Sequence, residues 1–415
     1  MKKFYALIFS IVVASCLSED GVAPGDAPTF IRYFNGGNND EAKALEFAPD
    51  GGFMLLATTR IQKAEADIPH TKIKVVKTDA NGNPLWQRLY PGFSKVTKRD
   101  YTASSIISYP SGGYVIVGDV IDTTKTGIGQ SFVMKIDENG VPQDSVDFSI
   151  SASIAEKGKA VAINSAGNII VLSTQGSTVM IVSEIDANTF SVLSQVDHAQ
   201  GETTLSNKLY VAPSDKVVMS GSKTVVGLTG IRLLRTIPQS FSVDWDQFLN
   251  EPGYSLAGYD FCKYGTGYAI AGATNQKPDG TAATDTDVMF FLTDSEGNRI
   301  RLTTFPFDDP NTPQNEDNQI DAGNAIASTS DGGLIFFSSI NSAAIEGRGD
   351  TEFYLIKIDA FGDKEWTSSF GSRYKDEAVA IRQTSDGYFV ALGTTTQGAL
   401  KILTLFKADK QGKIQ

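Results

Sequence analysis

One sequence pattern recurs about seven times along the 415 residues, and it constrains the fold more than any other feature. The stretch FIRYFNGGNNDEAKALEFAPDGGFMLLATT, from Phe30, can be compared with WTSSFGSRYKDEAVAIRQTSDGYFVALGTT, from Trp366. Both stretches pass from an aromatic residue through Gly, D-E-A and D-G to A-T-T or G-T-T. A repeat of this size indicates a ring or array of similar supersecondary units.

Each unit contains the signals of four strands. The first has small residues at alternate positions, such as Ala42 and Ala44, which is the period of a β-strand. After a glycine-containing turn comes an apolar run, as expected for a strand buried on both faces. The third strand ends at an aspartate, usually within D-x-x-G, where the carboxylate can bond the backbone of the turn. We therefore predict a structural role for these aspartates: Asp79, Asp137, Asp186, Asp294, Asp359 and Asp409.

The fourth strand often starts with an aromatic residue, at Trp86, Phe241 and Trp366, while Trp245 lies within its own strand. We expect the tryptophans to pack between units. Counting the apolar second strands gives seven units, starting at Phe53, Tyr114, Ile169, Val217, Tyr268, Leu334 and Tyr388. The sequence thus predicts an all-β fold, a seven-bladed β-propeller of four-stranded antiparallel blades over residues 29–415. The fourth unit fits least well, because its turn lacks the Asp and Gly.

The last unit ends after its third strand, whereas the N-terminal region has a spare strand, TFIRYF. This segment matches WTSSF in register, with aromatic residues four apart (Phe30 and Phe34; Trp366 and Phe370). We predict that it completes the last blade and closes the ring, which removes a free sheet edge.

The N-terminus has the features of an export signal. Lys2 and Lys3 precede a short apolar segment, and Val13-Ala14-Ser15-Cys16 resembles the lipobox of bacterial lipoproteins. That resemblance implies a signal peptide over residues 1–15, cleavage before Cys16 and acylation of this cysteine. Residues 16–28 are polar with Gly and Pro, which is typical of a flexible tether. The alternative is an ordinary secretory signal with an incidental cysteine.

With its lipobox and its D-G-G and K-x-D-x-x-G repeats, the chain resembles repeat-built secreted β-propeller lipoproteins of Bacteroidota. The resemblance implies a protein of the cell outer membrane, held by the Cys16 lipid alone and exposed at the surface. Leu17 after the cysteine, and the acidic Ser18-Glu19-Asp20-Gly21, fit that location in lipoproteins of this kind. The periplasmic face of the same membrane stays open as an alternative.

Other functional classes have little support in the sequence. The net charge is −12 without a Lys/Arg-rich stripe, which argues against nucleic acid as a partner. His70 and His198 lack metal-ligand spacing, and no hydrolase motif or nucleotide-binding glycine loop occurs, so we predict no enzyme and no cofactor. Cys262 reads as a small buried residue. A propeller hydrolase or lyase with carboxylates at the axis is the remaining enzymatic alternative, for which Asp260 and Asn324 are the residues to inspect.

Long segments are confined to the second-to-third and fourth-to-first connections, which share one face of a propeller. We predict that this long-loop face binds the ligand, with drift of unconstrained loops as the alternative. The segments are Arg60–Lys72, Gly92–Tyr101, Asp119–Ser131, Asn275–Asp287, Phe307–Asp321 and Asn341–Glu352.

Three groups of residues on this face are candidates for binding. The acidic group forms either a calcium or cationic-partner site, with Asp308, Asp309, Glu316 and Asp317 as the calcium candidates, or a solvated loop. The basic group on the opposite side would polarise the face and orient a protein partner. The aromatic group could stack on sugar rings or belong to the core. The groups are Asp285, Asp287, Asp308, Asp309, Glu316, Asp317 and Asp321; Lys95, Lys98 and Arg99; and Phe93, Tyr254, Phe307 and Tyr374.

Taken together, the sequence favours a non-enzymatic scaffold that docks a protein partner, such as an outer-membrane or surface assembly, through the long-loop face. A glycan-binding lipoprotein that supports polysaccharide uptake is the main alternative, and a propeller hydrolase or lyase is the second.

Overall fold

The computed structural model describes residues 29–61, 71–90, 99–122, 127–198, 203–225, 227–276, 282–305, 321–341 and 350–414, which form 28 strands. In chain order these are β1(Phe30–Phe34), β2(Asn39–Phe47), β3(Phe53–Arg60), β4(Thr71–Thr78), β5(Pro84–Tyr90), β6(Arg99–Ser108), β7(Tyr114–Asp122), β8(Gly129–Ile136), β9(Pro142–Phe148), β10(Glu156–Ile163), β11(Ile169–Gln175), β12(Val179–Ile185), β13(Val192–His198), β14(Thr203–Val211), β15(Val217–Val225), β16(Leu228–Thr236), β17(Val243–Leu249), β18(Leu256–Tyr264), β19(Gly267–Gln276), β20(Ala282–Thr293), β21(Arg299–Phe305), β22(Ala322–Ser328), β23(Leu334–Asn341), β24(Thr351–Ile358), β25(Lys364–Phe370), β26(Lys375–Gln383), β27(Phe389–Gln397) and β28(Leu400–Ala408).

The strands form seven four-stranded antiparallel sheets, and each sheet is one blade. Blades 1 to 6 take four consecutive strands each, from β2–β5 to β22–β25. The first strand of each blade contacts the first strand of the next around the whole ring, so these seven strands surround the axis. The predicted seven-bladed β-propeller is confirmed.

Blade 7 joins the two ends of the described chain. Its strand order is β26-β27-β28-β1, with Phe30 opposite Lys407 and Phe34 opposite Leu403. The predicted closure by the N-terminal strand is therefore confirmed, and β28 has no free edge.

The core lies between neighbouring blades. Side chains of the second and third strands are buried on both faces, as their apolar runs predict, and they meet the next blade in shared clusters. In one such cluster Phe337 of blade 6 packs against Phe406 of blade 7, with ring centroids 5.3 Å apart.

The turn aspartates have the predicted structural role. Asp79 Oδ1 accepts hydrogen bonds from the amides of Asn81 and Asn83, at 2.9 and 2.8 Å. Corresponding bonds to a turn amide occur at the other five. Each carboxylate therefore holds its own turn.

An aromatic residue of the outer strand packs against the turn glycine of the next blade. The pairs are Phe30 with Gly82, Trp86 with Gly140, Trp245 with Gly297 and Trp366 with Gly412. The predicted packing of the tryptophans between blades is confirmed. The prediction that Phe241 starts its outer strand is wrong. This residue precedes β17, lies in a turn with φ of 50°, and is buried in the core.

The two faces of the ring differ in their connections. Six of the seven first-to-second turns span five residues, and the exception joins Tyr264 to Gly267. The second-to-third and fourth-to-first connections differ more in length. The connection after Val225 has two residues, whereas the one between Phe305 and Ala322 is much longer. The first-to-second and third-to-fourth turns lie on one face, which we call the short-turn face, and the second-to-third and fourth-to-first connections lie on the other, the long-loop face. Within the described part of the chain, no helix is long and apolar enough to cross a membrane.

Candidate functional site

All seven inner strands contain a β-bulge at the same position. In β2 the pairing with β3 passes from Ala42 opposite Ala57 to Ala44 opposite Leu56, so that Lys43 is the extra residue. The small residues at alternate positions therefore flank a bulge, and the regular alternation read from the sequence is wrong at this point. The register shifts at the same place in β6, β10, β14, β18, β22 and β26.

The seven extra residues line a single cavity of about 770 Å³ on the axis, at the long-loop face. A bulge redirects the side chain of its extra residue, and here the repetition of the bulge brings seven side chains to one site. We call this set the bulge ring. Its members, in blade order, are Lys43, Ser104, Lys159, Asn207, Tyr259, Asn324 and Val379.

Hydrogen bonds between blades hold the bulges in place. The amide of Ala42 donates to Oγ1 of Thr394 in the preceding blade at 2.9 Å, and that of Ala103 donates to Thr58 Oγ1 at 2.9 Å. The amide of Ala378 donates to Ser339 in the same way, at 2.8 Å. Because a bulge interrupts its own ladder, these bonds give the displaced backbone a partner.

The D-E-A repeat places one residue in the wall of this cavity and one behind it. Asp40 is fully buried and its Oδ2 lies 2.5 Å from Lys74 Nζ, whereas Glu41 faces the cavity. In blade 7, Asp376 is fully buried and accepts a 2.6 Å hydrogen bond from the amide of Ser372, while Glu377 faces the cavity. The aspartate thus fixes β4 in blade 1 and the fourth-to-first connection in blade 7, and the glutamate contributes to the site.

Basic residues surround one side of the axial cavity. An adjoining cavity of about 580 Å³ shares Glu41, Lys43 and Lys159 with it. Five cationic and two anionic side chains line this second cavity. They are Lys43, Arg60, Lys157, Lys159 and Lys401, against Glu41 and Asp119. We call this group the basic sector.

The charges of the basic sector are incompletely paired. Lys43 Nζ lies 2.7 Å from Glu41 Oε1, but no described carboxylate lies within 4 Å of the ammonium groups of Lys157 and Lys159. Burial lowers the pKa of Lys159, and the charge of Lys157 lowers it further, against the opposite effect of Asp119. The protein therefore keeps two like charges close together at the cavity.

Asp119 is the acidic residue among these lysines. It occupies the position in β7 that Thr58 occupies in β3, and only 8% of it is exposed. Burial raises the pKa of Asp119, while a hydrogen bond from Thr102 Oγ1 and the charges of Lys157 and Lys159 act against that rise. Its buried carboxylate lines the same cavity as Lys157 and Lys159 but lies beyond ion-pair distance of both.

Of the predicted basic group, Arg99 lies within the described residues, and it is neutralised. Its Nη1 is 3.0 Å from Asp147 Oδ2 and its Nε is 3.7 Å from Asp122 Oδ2. The accessible basic charge is instead that of the axial lysines, which the sequence prediction did not include.

The predicted acidic group contains two residues whose side chains are described, and both are buried. Asp321 is 3% exposed and accepts a 2.8 Å hydrogen bond from the amide of Asn341, and Asp287 is 4% exposed. Asp321 ties the start of β22 to the end of β23 and does not face solvent. These two residues are therefore structural.

The two described aromatic candidates lie in fourth-to-first connections and are half-buried. Tyr254 is in a turn in which its amide donates to the carbonyl of Glu251 at 3.1 Å. The hydroxyl of Tyr374 accepts a hydrogen bond from Arg373 at 3.0 Å, and the guanidinium lies 5.2 Å from the ring centroid. The ring that lines the axial cavity is Tyr259, which is 41% exposed.

The remaining candidates fall outside the described side chains. They are Cys16, Phe93, Lys95, Lys98, Asp285, Phe307, Asp308, Asp309, Glu316 and Asp317, together with His70. In the described part of the chain, no group of three or more His, Cys, Asp or Glu side chains is arranged to hold a metal ion.

The residues marked for an enzymatic site have structural contacts. Asp260 Oδ2 accepts a 3.2 Å hydrogen bond from the amide of Ile326 in the next blade. Asn324 belongs to the bulge ring, and its Oδ1 accepts from the amide of Ser339 at 3.0 Å. Burial raises the pKa of the Cys262 thiol, which has no disulfide partner.

The fold and the axial site define a seven-bladed β-propeller with a polar cavity at one end of its axis. No protein-family model and no curated protein sequence matches the chain. Solved β-propellers resemble it in fold. The Dos1 propeller has 10% identity and a TM-score of 0.52, over 92% of this chain and 95% of that one.

Two further structures show the same likeness. Sqt1 of Chaetomium thermophilum, bound to the N-terminus of a ribosomal protein, has 11% identity and a TM-score of 0.50, over 92% of this chain and 87% of that one. A protein of unknown function from Dyadobacter fermentans has 8% identity and a TM-score of 0.50, over 92% and 99%. At such identities the likeness concerns the fold alone.

Proposed function

We propose that this protein is a non-enzymatic binding scaffold of the cell envelope that docks a protein partner through the long-loop face. The observation that carries the proposal is the bulge ring: seven bulges, one in each blade, direct seven side chains into one axial cavity. The first-to-second turns of the opposite face are nearly uniform in length, and their bonds lie within the blade or between neighbouring turns. A rigid ring that varies at one end suits recognition.

The contacts of the cavity favour binding over catalysis. Its two glutamates each pair with a lysine of the same strand, Glu41 with Lys43 at 2.7 Å and Glu377 with Lys375 at 2.6 Å. A general acid or a nucleophile needs a carboxyl group that is free to reach the substrate. The axial glutamates are instead suited to orienting a charged ligand.

The anchor in this proposal is the lipid on Cys16, with the protein in the outer membrane and its propeller at the cell surface. The tether of residues 16–28 leads directly into β1, whose partner β28 belongs to blade 7. Labelling of cells with radioactive palmitate tests the anchor. We expect label in the wild-type protein and none in a Cys16→Ser variant; label in both would contradict it.

Site-specific photo-cross-linking tests the docking face. Tyr259, in the bulge ring, and Phe361, in a turn of the short-turn face and 82% exposed, are replaced in separate variants by p-benzoylphenylalanine. In intact cells we expect a discrete cross-linked protein from position 259 and none from position 361. Equal products from both positions, or none from either, would exclude docking at this face.

Glycan binding is a second candidate because of one observation. Tyr259 presents an exposed ring between Asn207 and Asn324 of the neighbouring blades, and an aromatic ring beside amide groups suits a sugar. Titration calorimetry with neutral oligosaccharides tests this candidate. Heat that disappears in a Tyr259→Ala variant would support it, and the absence of heat with the wild-type protein would exclude it.

A further inference from the structure

We propose that the axial cavity and the adjoining cavity of the basic sector together bind an acidic segment of the docked protein, whose carboxylates are held by Lys43, Lys157 and Lys159. This inference rests on the proposed docking function and names the chemistry of the partner. It depends on the juxtaposition of three lysines from blades 1 and 3 at one cavity, a feature that the predicted face residues do not include.

The local charge is opposite to that of the whole protein. The chain has a net charge of −12, whereas the basic sector has five cations and two anions. A positive site in an acidic protein is not explained by general solubility, which requires only a net charge. It attracts an anionic group to the axis while the remaining surface repels one.

Two of the lysines are available to a ligand. The ammonium groups of Lys157 and Lys159 have no described carboxylate within ion-pair distance, in contrast to Lys375 and Lys74, which are paired at 2.6 and 2.5 Å. Burial disfavours the charged form of Lys159, and repulsion by the charge of Lys157 adds to that effect. A bound carboxylate would relieve that repulsion.

The extra position of the bulge is the reason that Lys43 and Lys159 meet. Each is the bulge residue of its strand, so each side chain leaves the ladder and turns toward the axis. Lys157 lies two residues before Lys159 on β10 and is exposed. The three charges thus stand on a rigid frame, which reduces the entropy lost on binding.

The lining favours a peptide over a sugar. Of the described side chains around the axial cavity, Tyr259 is the one aromatic ring, so the described wall offers little surface for stacking on successive sugars. The hydroxyl group of Ser104 and the amide groups of Asn207 and Asn324 occupy alternate positions of the bulge ring. They can form hydrogen bonds with a peptide backbone. An acidic oligosaccharide is the competing class that the experiment must separate.

The test measures the anisotropy of a fluorescent oligoglutamate with the full-length lipidated protein in neutral detergent. The test variant is Lys43→Gln/Lys159→Gln. The matched control is Lys364→Gln/Lys413→Gln, which removes two exposed lysines next to turns of the short-turn face. An unlabelled oligogalacturonate of equal length and charge competes in a parallel series.

We expect oligoglutamate to bind the wild-type protein and the control equally, with an affinity that falls as NaCl is added. The Lys43→Gln/Lys159→Gln variant should bind at least about tenfold more weakly. Equal affinity in that variant, or no binding to the wild-type protein, would overturn the proposal. Tighter competition by oligogalacturonate than by unlabelled oligoglutamate would overturn the peptide class.

Failure of this inference can be separated from failure of the docking function. The Tyr259 photo-cross-link reports docking without reference to charge. If that cross-link forms but oligoglutamate does not bind, docking at the long-loop face is supported and the inference of an acidic segment is wrong. If oligoglutamate binds and no cross-link forms, the axial site stands and protein docking is wrong.

Discussion

The indole ring of Trp366 in blade 6 lies directly against the α-carbon of Gly412 in blade 7. A Cβ at position 412 would stand 2.4 Å from Trp366 Cζ3, and the residue has φ of 74°, which favours glycine. Three other blade interfaces repeat this contact, so an outer-strand ring and a turn glycine form a unit of the propeller.

The first prediction is that Gly412→Ala lowers the free energy of unfolding by about 3 kcal/mol, because the methyl group displaces Trp366 and strains the turn. Gly398→Ala is the control, since Gly398 has φ of 61° but no atom within 4 Å of a built Cβ. It should lose only about 1 kcal/mol. Denaturant unfolding measures both, and equal losses would show that the ring contact contributes nothing.

The second prediction concerns closure of the ring. Phe30 in β1 is 5% exposed and packs against Gly82 of blade 1, so Phe30→Ala should lower the free energy of unfolding by about 3 kcal/mol. Tyr33 in the same strand is 50% exposed, and Tyr33→Ala should cost less than about 1 kcal/mol. A similar loss of unfolding free energy in both variants would mean that the packing of Phe30 against blade 1 does not contribute to closure.

The third prediction concerns the buried ion pair of Asp40 and Lys74. Their side chains are 0% and 4% exposed, so Lys74→Met leaves a buried charge without its partner and should cost about 3 to 5 kcal/mol. The double variant Asp40→Asn/Lys74→Met should recover much of that loss. Glu41→Gln, which breaks the exposed pair with Lys43, should cost less than about 1 kcal/mol. Chemical denaturation distinguishes these cases.

The fourth prediction is a dependence of stability on pH through His198. Burial lowers the pKa of His198 from 6.5 to about 4, and the charge of Arg232 lowers it further. The unfolded chain therefore binds a proton between these values while the folded protein does not. The contribution of His198 to the free energy of unfolding is fully present above pH 6.5. About 3 kcal/mol of it in total is lost as the pH falls toward 4.

A His198→Met variant should show a smaller loss of stability than the wild-type protein between pH 7 and pH 4. NMR titration of the wild-type imidazole provides the control and should place its midpoint near 4. An ordinary midpoint near 6.5 would remove the basis of the prediction.

Local patterns in the sequence predicted most of the fold. The turn aspartates and the apolar second strands depend on neighbours within a few residues, so the number of blades could be predicted. The closing strand repeats the pattern of WTSSF, so closure of the ring could be predicted as well. Phe241 was misplaced because a buried phenylalanine in a turn resembles the aromatic start of a strand. Its fourth unit nevertheless forms a complete blade.

The candidate site was less accessible from the sequence. A bulge adds one residue to a strand without altering its composition, so Ala42 and Ala44 looked like neighbours on one face of a regular strand. The ion pair of Arg99 with Asp147 joins residues 48 apart in the chain, and no local pattern indicates it. The available signal was a polar residue between two small ones, which occurs in four of the seven units, at Lys43, Ser104, Lys159 and Asn324.

In blades 1 and 2 the bulge ring separates the bonds that hold the propeller together from the side chains directed into the axial cavity. Its backbone is fixed by hydrogen bonds from small residues such as Ala42 and Ala103, whose partners lie in the preceding blade. The side chain next to them, Lys43 or Ser104, takes no part in those bonds. In such blades a single substitution at the bulge can therefore change the lining of the axial cavity without removing a bond between blades, so that rings built from the same blades can present different cavities.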